Sequence, residues 1–186
     1  MYSAIILTCV LIISAINSRY FNHEPDSSFF ITIALTLSVI AIDGLFALLI
    51  RKLPSKYFEV DRKNFDASIK ERKFYDFLDI KFWKDYVPEL GGFTNFHKDK
   101  IRDPNSPEYL RRFIIECNYG SVIHIFTAFS GFLIIFLFPL NLWWQFPLPV
   151  AIVNMILNLM PAFILRYNVP RLKALYKIAL RKSSKK

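Results

Sequence analysis

RFIIECNYGSVIHIFTAFSGFLIIFLF, residues 112–138, is a long apolar run that carries Glu116, Asn118 and His124. At ~1.5 Å per helical residue it extends about 39 Å, against a hydrocarbon core of roughly 30 Å, which predicts a membrane helix. An ionisable side chain at such depth costs a few kcal/mol and normally faces the protein interior or a wet cavity. Glu116 and His124 are therefore the first candidates for function. At ~100° per residue, Cys117, Gly120, Ser121, His124, Thr127, Ala128 and Gly131 share one side, a stripe of small residues with one imidazole in it. That side is expected to meet other helices, with Phe, Ile and Leu turned to lipid.

Three further apolar stretches, about 2–18, 29–50 and 148–166, join 113–138 as spans. With 54% hydrophobic and 17% aromatic residues among 186, the class is an all-α integral membrane bundle of four transmembrane helices with cytoplasmic interfacial helices, a single membrane domain. The first stretch lacks a charged n-region and an A-x-A end, so it reads as a retained helix and not a signal peptide. Residues 51–111 form a polar loop with 14 bases and 11 acids. Within it FYDFLDIKFWKDYVP, 74–88, repeats Phe74, Phe77, Leu78, Phe82 and Trp83 at helical spacing, which predicts one short interfacial helix. Gly91 and Gly92 break the pattern, and Pro104 and Pro107 restart it. PLNLWWQFP, 139–147, places Trp143 and Trp144 in the opposite aromatic belt.

The formal charge of +9 is concentrated at one end: residues 166–186 hold eight Lys or Arg and no acid. A basic tail at 167–186 beside a membrane span is expected on the cytoplasmic face against anionic lipid. With the 51–111 loop on the same side, both termini are cytoplasmic in a multi-pass cell-membrane protein. No aromatic and basic recognition module accompanies the charge, which argues against a nucleic-acid partner. Cys9 and Cys117 lie in apolar helices, which argues against a disulfide framework. His23, His97 and His124 lack metal-ligand spacing, so no metal site is expected.

Depth follows from the helical rise. Glu116 stands roughly 6 Å and His124 roughly 18 Å from Arg112, and Asp43 roughly 12 Å from Arg51. Asn158 and Asn154 stand roughly 12 and 18 Å from Arg166. Five polar side chains on three helices thus share the cytoplasmic half of the bilayer, which predicts a wet cavity lined by Asp43, Glu116, His124, Asn154 and Asn158. Glu116 and His124 are ~12 Å apart along their helix, too far to form a dyad. The partner orienting His124 is expected from another helix, with Asn154 and Asp43 as candidates. Pro161 cannot donate to the Leu157 carbonyl, so a kink is expected beside Asn158.

There is no G-x-S-x-G elbow. No histidine is followed five residues on by aspartate, since Arg102 follows His97 and Phe129 follows His124. Four stretches nonetheless form a recognisable set: LPSKYF at 53–58; Phe82 and Trp83 before a turn; YLRRFIIECNYGSVIH at 109–124; and Asn158 followed by RYNVPRL at 166–172. Over about residues 40–180 the chain resembles the CrtO family of glycosyl-4,4'-diaponeurosporenoate acyltransferases, small bacterial membrane enzymes of carotenoid biosynthesis. Ser121 stands where the family pattern has a second glutamate, and Asn118 and Tyr119 stand at basic positions of that pattern.

The resemblance implies transfer of a fatty acyl group to a sugar hydroxyl of a membrane glycolipid or carotenoid glycoside. Such a reaction needs a base at the hydroxyl and donors for the oxyanion. Histidine, with an unperturbed pKa near ~6.5, suits the first task, so His124 is the expected general base. Asn158, with Asn154, is expected to serve the oxyanion or the sugar, Glu116 to bind sugar hydroxyls, and Asp43 to line the site. Arg166, Asn168 and Arg171 are candidates for the phosphates of acyl-CoA, the candidate donor, with no cofactor held permanently. The alternatives are a noncatalytic lipid-binding adaptor or complex subunit, and a small proton-coupled transporter using Asp43, Glu116 and His124. The transporter would need water on both sides, whereas the polar residues cluster toward one. Oligomeric state is left open by the sequence.

Overall fold

The computed structural model describes residues 2–87 and 101–184, and every described element is helical. The main helices are α1 (Tyr2–Phe21), α2 (Pro25–Arg51), α3 (Ile69–Phe77), α4 (Ile80–Trp83), α5 (Pro107–Ser130) and α6 (Pro147–Ser183). Four of them, α1, α2, α6 and α5 with its continuation to Leu137, are long and apolar enough to cross a membrane. Six hydroxyls within them are spent locally: Thr8, Ser14, Thr32, Thr36, Ser38 and Ser121 each donate to the carbonyl four residues earlier. In hydrocarbon that bond removes an otherwise unsatisfied donor.

The helix ends follow local chemistry. Asn22 takes a left-handed conformation, φ 56°, just past α1, and Pro25 opens α2 where a missing N–H costs nothing. Ser68 and Glu71 form a capping box at the start of α3. Ser106 accepts from Tyr109 N at the start of α5, after an Asp103 side chain that accepts from Asn105 N and Ser106 N. The restart expected at Pro104 and Pro107 is thus present.

The chain forms two compact units. The first comprises residues up to Leu49 together with Ile125–Leu159, and the second Ile50–His124 with Met160 onward. The core of the first holds Ile13, Leu35, Val39, Ile134, Phe146 and Val150. Its outward face carries Leu11, Leu37, Leu48, Phe129 and Phe136, all large, apolar and exposed, as a lipid-facing surface requires. The second unit has two cores, Ile50, Phe58, Phe65, Ile115 and Tyr119 in one, and Phe113, Ile114, Cys117, Val169 and Leu172 in the other.

Three expectations are amended. The helix expected across 74–88 is broken: α3 ends at Phe77, Asp79 turns left-handed at φ 48°, and α4 begins at Ile80. Aspartate tolerates that conformation, and Trp83 Nε1 donates to the Leu78 carbonyl at 2.8 Å, satisfying a group the break exposes. The helix expected to 138 tightens after Ser130 into a 3-10 segment, Gly131–Leu137, before an extended Phe138. The last span and basic tail are one helix, α6, which runs through both Pro161 and Pro170 to Ser183. Gly91, Gly92 and His97 lie outside the described residues.

Candidate functional site

The first unit holds a polar cluster built by α2, α5 and α6. Asn158 Nδ2 donates to Asp43 Oδ2 at 3.0 Å and to Asn154 Oδ1 at 3.0 Å. Asn154 Nδ2 donates to the Thr127 carbonyl at 3.1 Å, and Asp43 Oδ1 lies 3.5 Å from the same nitrogen. Thr127 Oγ1 donates to Asn158 Oδ1 at 2.8 Å. The spacing of four residues between Asn154 and Asn158 stacks the amides on one helix face, and the carboxylate across from them accepts from both. Gly131 makes room: a Cβ there would lie 2.6 Å from Asn154 Nδ2. The arrangement offers oriented amide N–H groups in a medium where each is worth more than in water.

Beside the cluster, an open apolar groove runs between α1, α2 and α6. Ile6, Ile13, Val39, Val153 and Leu157 line it, with Asn154 in its wall.

The remaining expected site residues belong to the second unit. Glu116 pairs with Arg51, Nη1 to Oε2 at 2.5 Å, and that guanidinium also lies 5.3 Å from the Tyr119 ring centre. His124 is half-buried on α5, and continuous helix between it and Glu116 upholds the reading that they are not a dyad. Arg166 makes a two-pronged pair with Glu71. Arg171 donates to the Tyr167 hydroxyl at 3.0 Å and lies over its ring. Asn168 is half-buried on α6. The structure thus brings Asp43, Asn154 and Asn158 together, while Glu116 and Arg166 are each held in an ion pair. Among the described residues, no group of three or more His, Cys, Asp or Glu side chains is placed to hold a metal ion.

Several contributors escaped the sequence reading as site-builders. Asn118, fully buried, donates to the Phe58 carbonyl at 2.8 Å, and Tyr119 Oη donates to the Leu53 carbonyl at 2.6 Å. Phe58 also stacks on Tyr119 at 3.7 Å, so LPSKYF is pinned at both ends on α5. Glu71 closes its capping box, pairs with Arg166 and accepts from the buried Tyr75 hydroxyl. The hydrogen bond from Arg166 holds the Glu71 carboxyl below its ordinary value. Burial, then the bond to Glu71, pushes the Tyr75 phenol well up. Ser68-x-x-Glu71 was the available signal for Glu71, and the small-residue stripe was the signal for Thr127.

Fold and cluster together define a class: an all-α, multi-span membrane protein with a carboxylate and two amides hydrogen-bonded among its helices. The chain belongs to the CrtO family, glycosyl-4,4'-diaponeurosporenoate acyltransferase, whose model matches residues 54–178, and it is an acyltransferase. The matched stretch begins in LPSKYF and ends beyond RYNVPRL, leaving α1 and α2 outside it. No curated protein and no solved structure matches the chain.

Proposed function

We propose that this enzyme moves a fatty acyl group onto a sugar hydroxyl of a membrane glycolipid or carotenoid glycoside, with acyl-CoA as donor. The observation that carries the reading is the anchored amide pair, in which Asn158 and Asp43 hold the Asn154 amide in place as a fixed donor for a developing oxyanion. Asn154 gives the hydrogen bond, since one of its amide hydrogens faces an acceptor only at the 3.5 Å limit. His124 takes the proton from the attacking hydroxyl. The hydroxyl oxygen bonds to the acyl carbon, the carbon–sulfur bond breaks, and the leaving thiolate receives that proton. Glu116 of α5 and Arg51, at the end of α2, are paired and hold sugar hydroxyls.

The orientation that goes with this chemistry has both termini in the cytoplasm of a multi-pass cell-membrane protein. The exposed Arg171, Lys177, Arg181 and Lys182 of α6 support anionic lipid as a partner. Arg166 and Lys173 serve the fold instead, paired with Glu71 and Asp66.

The test is turnover with palmitoyl-CoA and a glucosylated carotenoid in proteoliposomes. His124→Ala is expected to lose about 10²–10⁴-fold in rate, the usual worth of a general base. Glu116→Gln is expected to raise KM for the glycoside more than it lowers kcat. Full turnover by folded His124→Ala overturns the mechanism.

A further inference from the structure

We infer that the groove between α1, α2 and α6 seats the fatty acyl chain of the donor, with Asn154, partway along the α6 wall between Val150 and Leu157, receiving the acyl carbonyl. The inference rests on the acyl-transfer reading and adds where the chain lies. The wall is aliphatic along all three helices. From Ile6 to Ile13 it follows α1 for about 10 Å of helix. Its polar side chains are Thr36 and Asn154. The Thr36 hydroxyl is already spent on the Thr32 carbonyl at 2.8 Å. Asn154 is different: its nitrogen has two hydrogens, one bonded to the Thr127 carbonyl at 3.1 Å and the other held only by the 3.5 Å approach to Asp43.

A ligand matching this lining has an apolar body and one hydrogen-bond acceptor where it passes Asn154, its chain running on along the aliphatic wall. A sugar would strand its hydroxyls against Ile and Val, and a phosphate would lack a cation. An acyl thioester satisfies both halves. The α1 and α2 walls lie outside the stretch that matches the family, and the α6 wall lies within it.

Cys9, in the groove wall and partly exposed, reports on occupancy, whereas Cys117 is buried in the second unit. The experiment measures maleimide alkylation of Cys9 in the full chain in detergent, with Cys9→Ser fixing the assignment. At roughly ten times its Kd, palmitoyl-CoA is expected to slow alkylation about tenfold by mass action, with acetyl-CoA and phosphatidylglycerol far weaker. Val153→Trp, which fills the groove, is expected to abolish the protection; if that variant does not fold, Ile6→Trp replaces it. An unchanged rate with palmitoyl-CoA overturns the inference, and so does equal slowing by phosphatidylglycerol, which would mark an ordinary lipid-facing crevice. Protection in a preparation that transfers no acyl group would sink the transfer reading and leave the groove. Normal transfer with Cys9 unprotected would do the reverse.

Discussion

At Gly131 the absence of a side chain is what lets Asn154 reach the Thr127 carbonyl. A methyl there would sit 2.6 Å from the amide nitrogen, closer than real carbon contacts come. Gly131→Ala is therefore expected to displace Asn154, costing about 1–3 kcal/mol as overpacking does and lowering acyl transfer with it. Gly44 is the control, because a Cβ there meets nothing within 4 Å. Gly44→Ala is expected to stabilise α2 by about 0.5–1 kcal/mol through helix propensity and to leave transfer unchanged. Thermal unfolding in detergent beside a transfer assay checks both. At this scale the sequence was legible where depth and helical phase sufficed: Asp43, Asn154 and Asn158 were placed by counting from Arg51 and Arg166. It was not legible where a partner comes from a distant polar segment, as with Arg51 for Glu116 or Glu71 for Arg166, because nothing in a mixed-charge stretch marks one acid among eleven.

Among the elements, α3 shows what that acid does. Glu71 caps its own helix and ties it to α6 through Arg166, while Tyr75 packs near Phe163 and Tyr167. The folded state holds the Glu71 pKa below its ordinary 4.5, so this contribution to stability is fully present above pH 4.5. It is lost as pH falls through the folded value. The midpoint of thermal unfolding should consequently drop on acidification below that point, and Glu71→Gln should lower the neutral-pH midpoint while flattening the acid limb. A parallel acid limb in the variant would contradict the assignment. The break between α3 and α4 was hidden from periodicity because Phe74, Phe77, Phe82 and Trp83 keep a helical rhythm across it. Only the left-handed Asp79 ends the first helix. The Gly131–Leu137 segment was hidden for a related reason, since apolar composition reads the same in α and 3-10 geometry.

For the molecule as a whole, composition determined the class, and four apolar runs became four helices able to span a bilayer. The expected small-residue face holds in part: Cys117, Ser121, Thr127, Ala128 and Gly131 are buried and Phe126, Phe129 and Phe136 exposed, whereas Gly120 and His124 are half-buried and Phe113, Ile114 and Ile115, expected toward lipid, pack in the cores of the second unit. The proposed orientation makes a separate prediction. Single cysteines introduced at Ser184 and Ser3 should react with an impermeant maleimide only after the cell membrane is opened, and labelling of Ser184→Cys in intact cells would reverse the topology. The central claim is that the amide pair anchored on Asp43 stabilises acyl transfer, and Asn154→Ala tests it most directly. The rate of palmitoyl transfer from palmitoyl-CoA to a glucosylated carotenoid should fall about 10²–10³-fold, as for loss of one oxyanion donor, in protein that remains folded. Wild-type turnover in folded Asn154→Ala would contradict the account.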